Sequence, residues 1–313
     1  MDPPETVKEP TFTQGHESNC PVCHSNNVVF YVRHSSGKQN LLQCVDCGLY
    51  FAHPHVTTVQ GEGDLGGGIK EQYWRSESAW RAFKQWREAE TVLGAALIQE
   101  YAPCQKVLEI GFGENPMVSH TSFLCKEYWG VEPDSGAFNR VRGTVSSSAK
   151  LFCLGLEKLA EVEPFRSMHG YFDTVIIFNA LPALPLPLES LRTVRGLMSD
   201  DAKLIISVPD SSRFGIVSLL RRLIGMEPYT YFFISFFNKR NFEILASSAG
   251  FRVIHWREVP NVTPLSTEYL VKQYGNFLLS PLIRLFATLK LDRLLRLNSF
   301  YVVLEKADGR RRN

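Results

Sequence analysis

Four cysteines stand in two tight pairs, Cys20-Pro21-Val22-Cys23 and Cys44-Val45-Asp46-Cys47, with twenty residues between the pairs. At this spacing each pair can form a knuckle that offers two sulfurs from one short turn, and two knuckles complete a tetrahedral zinc site. Four thiolates leave no open coordination position, so the expected ion is a structural zinc held by Cys20, Cys23, Cys44 and Cys47. His16, His24 and His34 lie nearby but are surplus to a full set. A second stretch has the makings of a ligand site. Lys106-Val107-Leu108-Glu109-Ile110-Gly111-Phe112-Gly113-Glu114-Asn115-Pro116 passes from an apolar run through an acid into two glycines spaced one apart. This pattern predicts a buried strand, a tight turn and a helix over Met117–Lys126. The glycines admit backbone angles and close approaches that a side chain would forbid, leaving backbone donors facing a ligand.

A dinucleotide-binding fold and a methyltransferase fold both use such a turn, but the third glycine of the dinucleotide fingerprint is absent here. Glu109-x-Gly111-x-Gly113, with the acid ahead of the glycines, resembles the first motif of class I S-adenosylmethionine-dependent methyltransferases. The resemblance implies that Glu109, Gly111, Phe112 and Gly113 surround the methionine part of the cofactor. Asn115 takes the place of a further glycine, and Asn tolerates left-handed backbone better than most residues. Tyr128-Trp129-Gly130-Val131-Glu132 reads as the next strand; an acid at its end can accept both hydroxyls of a ribose, and the family places one there. Gly155-Leu156-Glu157 resembles the segment beside adenine, with Glu157 as a shifted acid and Leu156 able either to face the adenine or to join the core. Phe172–Leu181 resembles the family's FDxV strand and ends in Asn179, a hydrogen-bonding residue for cofactor or substrate, without the usual histidine.

The same order continues through Ala202–Pro209, a fifth strand, and Gly250-Phe251, which opens a sixth. Ser299–Glu305 is the seventh, antiparallel by the resemblance. The expected fold is therefore an α/β class I methyltransferase (Rossmann-like) sheet with an amino-terminal zinc ribbon and a helical insertion near the carboxy terminus, including Pro281–Leu297. The resemblance covers residues 106–305, and the ribbon points to the subgroup that carries one.

The elements that must position these residues follow in chain order. Residues 1–18 are a flexible lead, 19–54 the ribbon, 55–72 a Gly-rich linker and 73–104 a helical cover. Residues 105–209 form the cofactor-binding core, 210–240 a substrate-cover insertion, 241–305 the completion of the core and 306–313 a basic tail. In the cover, Tyr73 and Trp74 are lid candidates beside an otherwise packing role for the tryptophans. With 313 residues, 44% hydrophobic and 21% charged, the chain can bury one substantial core plus a small unit whose few apolar side chains need a metal to fold.

A net charge of +2 does not describe a global nucleic-acid binder, although the part beyond Pro209 has about twice as many Lys/Arg as Asp/Glu. No uninterrupted apolar run is long enough to span a bilayer. Arg284, Lys290, Arg293 and Arg296 do not share one polar face, which speaks against a peripheral membrane anchor. A cytoplasmic location is expected.

The chemistry implied by the family is direct displacement by oxygen, nitrogen or carbon on the methyl group of S-adenosylmethionine, governed by alignment more than by proton transfer. Tyr229, Tyr231 and Glu227, in the cover insertion, are the expected acceptor-side catalytic residues, with Asp210 and His255 as further candidates. His120 and His169 read as surface or packing residues. The expected substrate is a small-molecule precursor of natural-product, sugar or lipid-linked type, and a homodimer or a biosynthetic partner is the expected assembly. The other reading is a noncatalytic protein of the same fold whose ribbon recruits a partner.

Overall fold

A computed structural model describes residues 19–33, 40–53, 77–113, 117–121, 125–145, 148–223, 233–259 and 298–307. At the amino terminus, β1 (Val28–Arg33), β2 (Asn40–Cys44) and β3 (Tyr50–His53) form an antiparallel meander. The helix α1 (Glu77–Tyr101) leads into β4 (Lys106–Ile110), the short α2 (Val118–Thr121), β5 (Glu127–Val131), α3 (Ser135–Val141) and β6 (Ala149–Phe152). Then come β7 (Phe172–Phe178), α4 (Pro187–Leu197), β8 (Met198–Pro209), α5 (Phe214–Leu223), β9 (Ser235–Phe236), α6 (Lys239–Ser248), β10 (Phe251–Val259) and β11 (Ser299–Lys306).

The main sheet has seven strands in the order β10-β11-β8-β7-β4-β5-β6. β4 pairs in parallel with both β5 and β7, while β11 runs antiparallel between β8 and β10. This is the α/β class I methyltransferase topology expected from the sequence, including the reversed last strand. Central strands buried on both faces read as continuous apolar runs. In β7, Val175, Ile176 and Ile177 are fully buried, and Leu204, Ile205 and Ile206 match them in β8.

Polar residues near the strand entries stitch the sheet together. Asp173, the acid of the FDxV-like strand, accepts the backbone N–H of Lys106 at 2.9 Å and of Gln105 at 3.1 Å. The motif's acid thus holds the start of β4 beside β7. The described part of the first helix after β4 is the single turn Val118–Thr121, shorter than the Met117–Lys126 span read from the pattern. The helical insertion read over Pro281–Leu297 lies outside the described residues.

The amino-terminal unit is less separate than its sequence boundaries imply. β9, from the segment read as a substrate cover, pairs antiparallel with β3, so Tyr50 faces Phe236 and Phe51 faces Ser235. The four-stranded sheet β1-β2-β3-β9 therefore takes its last strand from the methyltransferase half of the chain. Tyr31, Tyr50, Phe214 and Phe236 form an aromatic cluster at this seam. On the other side, Cys20, Val22, Leu49 and Phe51 share one apolar core with Phe237 and Phe242.

Candidate functional site

The ends of three adjacent parallel strands build the site. β4 closes on Glu109, Ile110 and then Gly111, which has φ +70. A Cβ on Gly111 would lie 2.5 Å from Ala180 Cβ, so the turn after β4 and the loop after β7 touch at a position where only glycine fits. Gly111 N–H donates to Val131 O at 2.8 Å, carrying the β4–β5 pairing one step past the strands. Gly113 is also left-handed, with φ +57. Its N–H donates to Glu132 Oε2 at 2.8 Å, and Asp134 N–H donates to Glu132 Oε1 at 2.9 Å. Glu132 is 7% exposed and so locks the turn of its neighbouring strand as well as ending its own.

Glu109 is buried within β4 and accepts the N–H of Met117 at 2.6 Å, fixing the far end of the turn. Phe112 is fully buried: its ring carbon lies 2.9 Å from the point a Cβ on Gly130 would occupy. Its side chain packs against Gly130 of β5. Asn115 lies outside the described residues.

Asn179 ends β7 in left-handed conformation, φ +55, with its N–H bonded to Ser207 O at 2.9 Å. Its Nδ2 donates to Glu90 Oε1. Its Oδ1 is buried and has no hydrogen-bond partner among the described residues. A buried acceptor without a donor is unusual in a folded protein and marks a place where a ligand N–H or O–H would be welcome. Glu90, on α1 and 4% exposed, also accepts Ser207 Oγ at 2.8 Å. Sequence reading passed over Glu90, because one acid in a 25-residue helix rich in polar residues reads as part of its solvent face.

The other candidate residues have the following surroundings. Glu157 is exposed in the 3-10 turn Leu156–Glu161 and its carboxylate folds back over Gly155, whereas Leu156 is buried in the main core. Asp210 caps its own turn, accepting Ser212 N–H at 2.9 Å and Ser212 Oγ at 2.7 Å. His255 sits on β10 with Nδ1 2.9 Å from Tyr101 Oη. Glu227, Tyr229 and Tyr231 lie outside the described residues, as do Tyr73 and Trp74.

The cysteine cluster is compact. The four Sγ atoms of Cys20, Cys23, Cys44 and Cys47 lie within 4.8 Å of one another. Cys20 and Cys47 are 3.6 Å apart and Cys23 and Cys44 3.5 Å. A tetrahedral zinc with Zn–S bonds of about 2.3 Å has sulfur–sulfur edges of about 3.8 Å, so the set fits such an ion. Gly48, at φ +78, and the bonds Gly48 N–H to Cys44 O and His24 N–H to Cys20 O, both 2.9 Å, shape the two knuckles. The Cys47 thiol, hydrogen-bonded to Cys20, lowers Cys20 to about 5. Burial pushes Cys23 up to about 11. A dication between the sulfurs removes that contrast by favouring all four thiolates.

A family model described as a methyltransferase domain matches residues 81–256, more than half of the chain. The chain belongs to this methyltransferase family. No curated protein matches it. Among solved structures, a candidate methyltransferase from Bacillus halodurans C-125 is similar at 12% identity with a TM-score of 0.51, covering 68% of this chain and 98% of that one. A SAM-dependent methyltransferase from Archaeoglobus fulgidus is similar at 16% identity and TM-score 0.48, over 78% of this chain and 100% of its own. The cyclopropane synthase MmaA2 from Mycobacterium tuberculosis follows at 12% identity and TM-score 0.49, over 69% and 84%. At 12% identity the likeness to the Bacillus halodurans structure speaks to the fold alone. Among the described residues, no helix of this methyltransferase-family chain is long and apolar enough to cross a membrane.

Proposed function

We propose that the protein transfers a methyl group from S-adenosylmethionine to an oxygen or carbon atom of a small-molecule precursor, of natural-product, sugar or lipid-linked type. The observation that carries this reading is the convergence of Glu132, the Gly111–Gly113 turn and Asn179 at the carboxyl ends of β5, β4 and β7. Ligands of open α/β sheets gather at such ends. The unpaired Asn179 Oδ1 and the glycine-only approach to Ala180 fit a ligand laid across the three strands.

When bound, S-adenosylmethionine supplies a methyl group activated by its sulfonium. The chain's part is to bind and orient. Glu132 would receive ribose hydroxyls, while the turn set by Glu109 and Gly113, together with Asn179, would hold the methionine part. Tyr229, Tyr231 and Glu227 remain the proposed acceptor-side residues, with the roles of excluding water and taking a proton from the attacking atom. The four cysteines hold a structural zinc, as in the ribbon-bearing subgroup. Calorimetric titration with S-adenosylmethionine and S-adenosylhomocysteine, followed by a labelled-methyl substrate screen, tests the reading. Saturable micromolar binding is expected; folded, metal-loaded protein that binds neither compound overturns it.

The second reading, a noncatalytic recruiter, has its own observation. Val29, Phe30 and Val45 on the cysteine-bearing unit are 46%, 52% and 54% exposed. Apolar side chains this open suit a protein contact, with a biosynthetic partner or a second copy. Cofactor binding without methyl transfer to any screened acceptor, together with a stable complex lost on Phe30→Ser, would favour it.

A further inference from the structure

Glu90, Asn179 and Ser207 come from three different elements, α1, the end of β7 and β8, and meet at one oxygen. Glu90 Oε1 accepts both Asn179 Nδ2 and Ser207 Oγ. Asn179 Nδ2 is the donor to that oxygen, and this bond decides which way the Asn179 amide faces. The Nδ2 side must turn toward Glu90, and Oδ1 must turn away from it. The other side of the amide is also fixed, because the Asn179 backbone is held to Ser207 O in left-handed conformation. The result is an oriented, buried acceptor with no donor among the described residues.

Position tells what donor it awaits. β7 and β5 flank β4 on opposite sides, so Asn179 and Glu132 stand at opposite ends of the turn that bears Gly111. A ligand with its ribose on Glu132 brings its amino-acid end to Asn179. That end carries an ammonium donor and a carboxylate acceptor, and only the ammonium pairs with Oδ1.

We propose that Glu90 is a positioning residue: by fixing the Asn179 amide it presents Oδ1 to the ammonium of the methyl donor's amino-acid end. This rests on the methyl-donor reading above. The structural role of a buried acid and its positioning role separate by ligand. S-adenosylhomocysteine has the amino-acid end; 5′-methylthioadenosine ends at the sulfur and lacks it.

The experiment titrates both compounds into the metal-loaded full chain as wild type, Glu90→Leu, Glu90→Gln and Asn179→Gly. Glycine suits the left-handed backbone at 179 and removes only the side chain. Glu90→Leu is expected to weaken S-adenosylhomocysteine at least tenfold and 5′-methylthioadenosine less than twofold. Glu90→Gln keeps an acceptor for Nδ2 while the Ser207 hydroxyl rotates, so it recovers most of the loss. Asn179→Gly matches Glu90→Leu, and the double variant loses no more than either alone.

Equal weakening of both compounds, or none, in folded Glu90→Leu or in Asn179→Gly overturns the proposal while leaving the cofactor site standing. A wild type that binds neither compound overturns the methyl-donor reading and the proposal together. Should Glu90→Leu fail to fold, the near-isosteric Glu90→Met takes its place, with the same selective loss expected and the same equal or absent weakening overturning the proposal.

Discussion

The backbone N–H of Ile234 donates to the carbonyl of Pro182 across 2.7 Å, just beyond the end of β7. The carbonyl of the same Ile234 accepts the N–H of Ala52, in β3, at 2.8 Å. One residue thus connects the cysteine-bearing sheet to the loop that begins at Asn179. Nearby, Ser211 N–H and Oγ bond to the carbonyls of Phe237 and Phe236, tying the end of β8 into the same seam.

Metal removal should therefore be felt at the cofactor site. Chelation or Cys44→Ser is expected to loosen β2 and β3, release Ile234, and weaken S-adenosylhomocysteine at least tenfold. Calorimetry on metal-loaded and chelated protein checks this. Equal affinity in a protein shown by metal analysis to be stripped would uncouple the two sites.

Gly111→Ala places a methyl 2.5 Å from Ala180 Cβ on a backbone with φ +70. Strain and overpacking together should cost about 2–4 kcal/mol of stability. The turn can relieve the clash only by moving away from β7, so cofactor affinity should fall with stability. Denaturant melts and titration of the same preparation measure both; a variant as stable as wild type contradicts the close approach.

Glu132→Ala strips the acceptor from two backbone donors, Gly113 N–H and Asp134 N–H. Each donor left unpaired costs about 1–3 kcal/mol if it stays buried. The variant should fold with reduced stability and bind S-adenosylmethionine at least tenfold more weakly. Glu132→Gln, whose amide keeps one acceptor oxygen, should fall between. Undiminished affinity in Glu132→Ala would remove this residue from the site.

Acid should open the sheet at its reversed strand. Glu305 on β11 bonds Lys203 of β8 at 2.8 Å and pairs with Arg252 of β10, and Lys203 in first place holds its carboxyl below the ordinary value. A depressed carboxyl contributes stability that is present above the unfolded value of about 4.3 and is lost as pH falls through the lower folded one. Wild type should lose stability more steeply than Glu305→Gln below about pH 4.3. Parallel slopes in acid melts of the two proteins would show that the pairing carries no such linkage.

Local pattern made one half of the site legible. Glu109, Gly111, Gly113 and Glu132 sit at the ends of short apolar runs, where an acid or a glycine interrupts the strand period and so stands out. Asn179 was visible for the same reason. Glu90 was not, since its role comes from contacts with Asn179 and Ser207, far away in sequence. Likewise β9 is a two-residue strand. Its pairing with Tyr50 and Phe51 leaves no periodic trace in a segment that reads as a cover. The acid read at Glu157 is a shifted motif position, and the 3-10 turn there turns it outward while burying Leu156.

The placement of β11 has a consequence for how the molecule comes into being on the ribosome. Synthesis delivers β8 and β10 well before Ser299–Lys306, yet those two strands are not neighbours; each pairs with β11. Until that segment emerges, β8 has an open flank and β10 has no partner in the sheet. Both must be kept from pairing with the wrong strand or with another nascent chain. The nascent protein thus carries a risk of aggregation late, after the glycine turn and the cysteine knuckles have been synthesised, and a stall before residue 299 would leave exposed the flank of β8, an interior strand of the finished sheet.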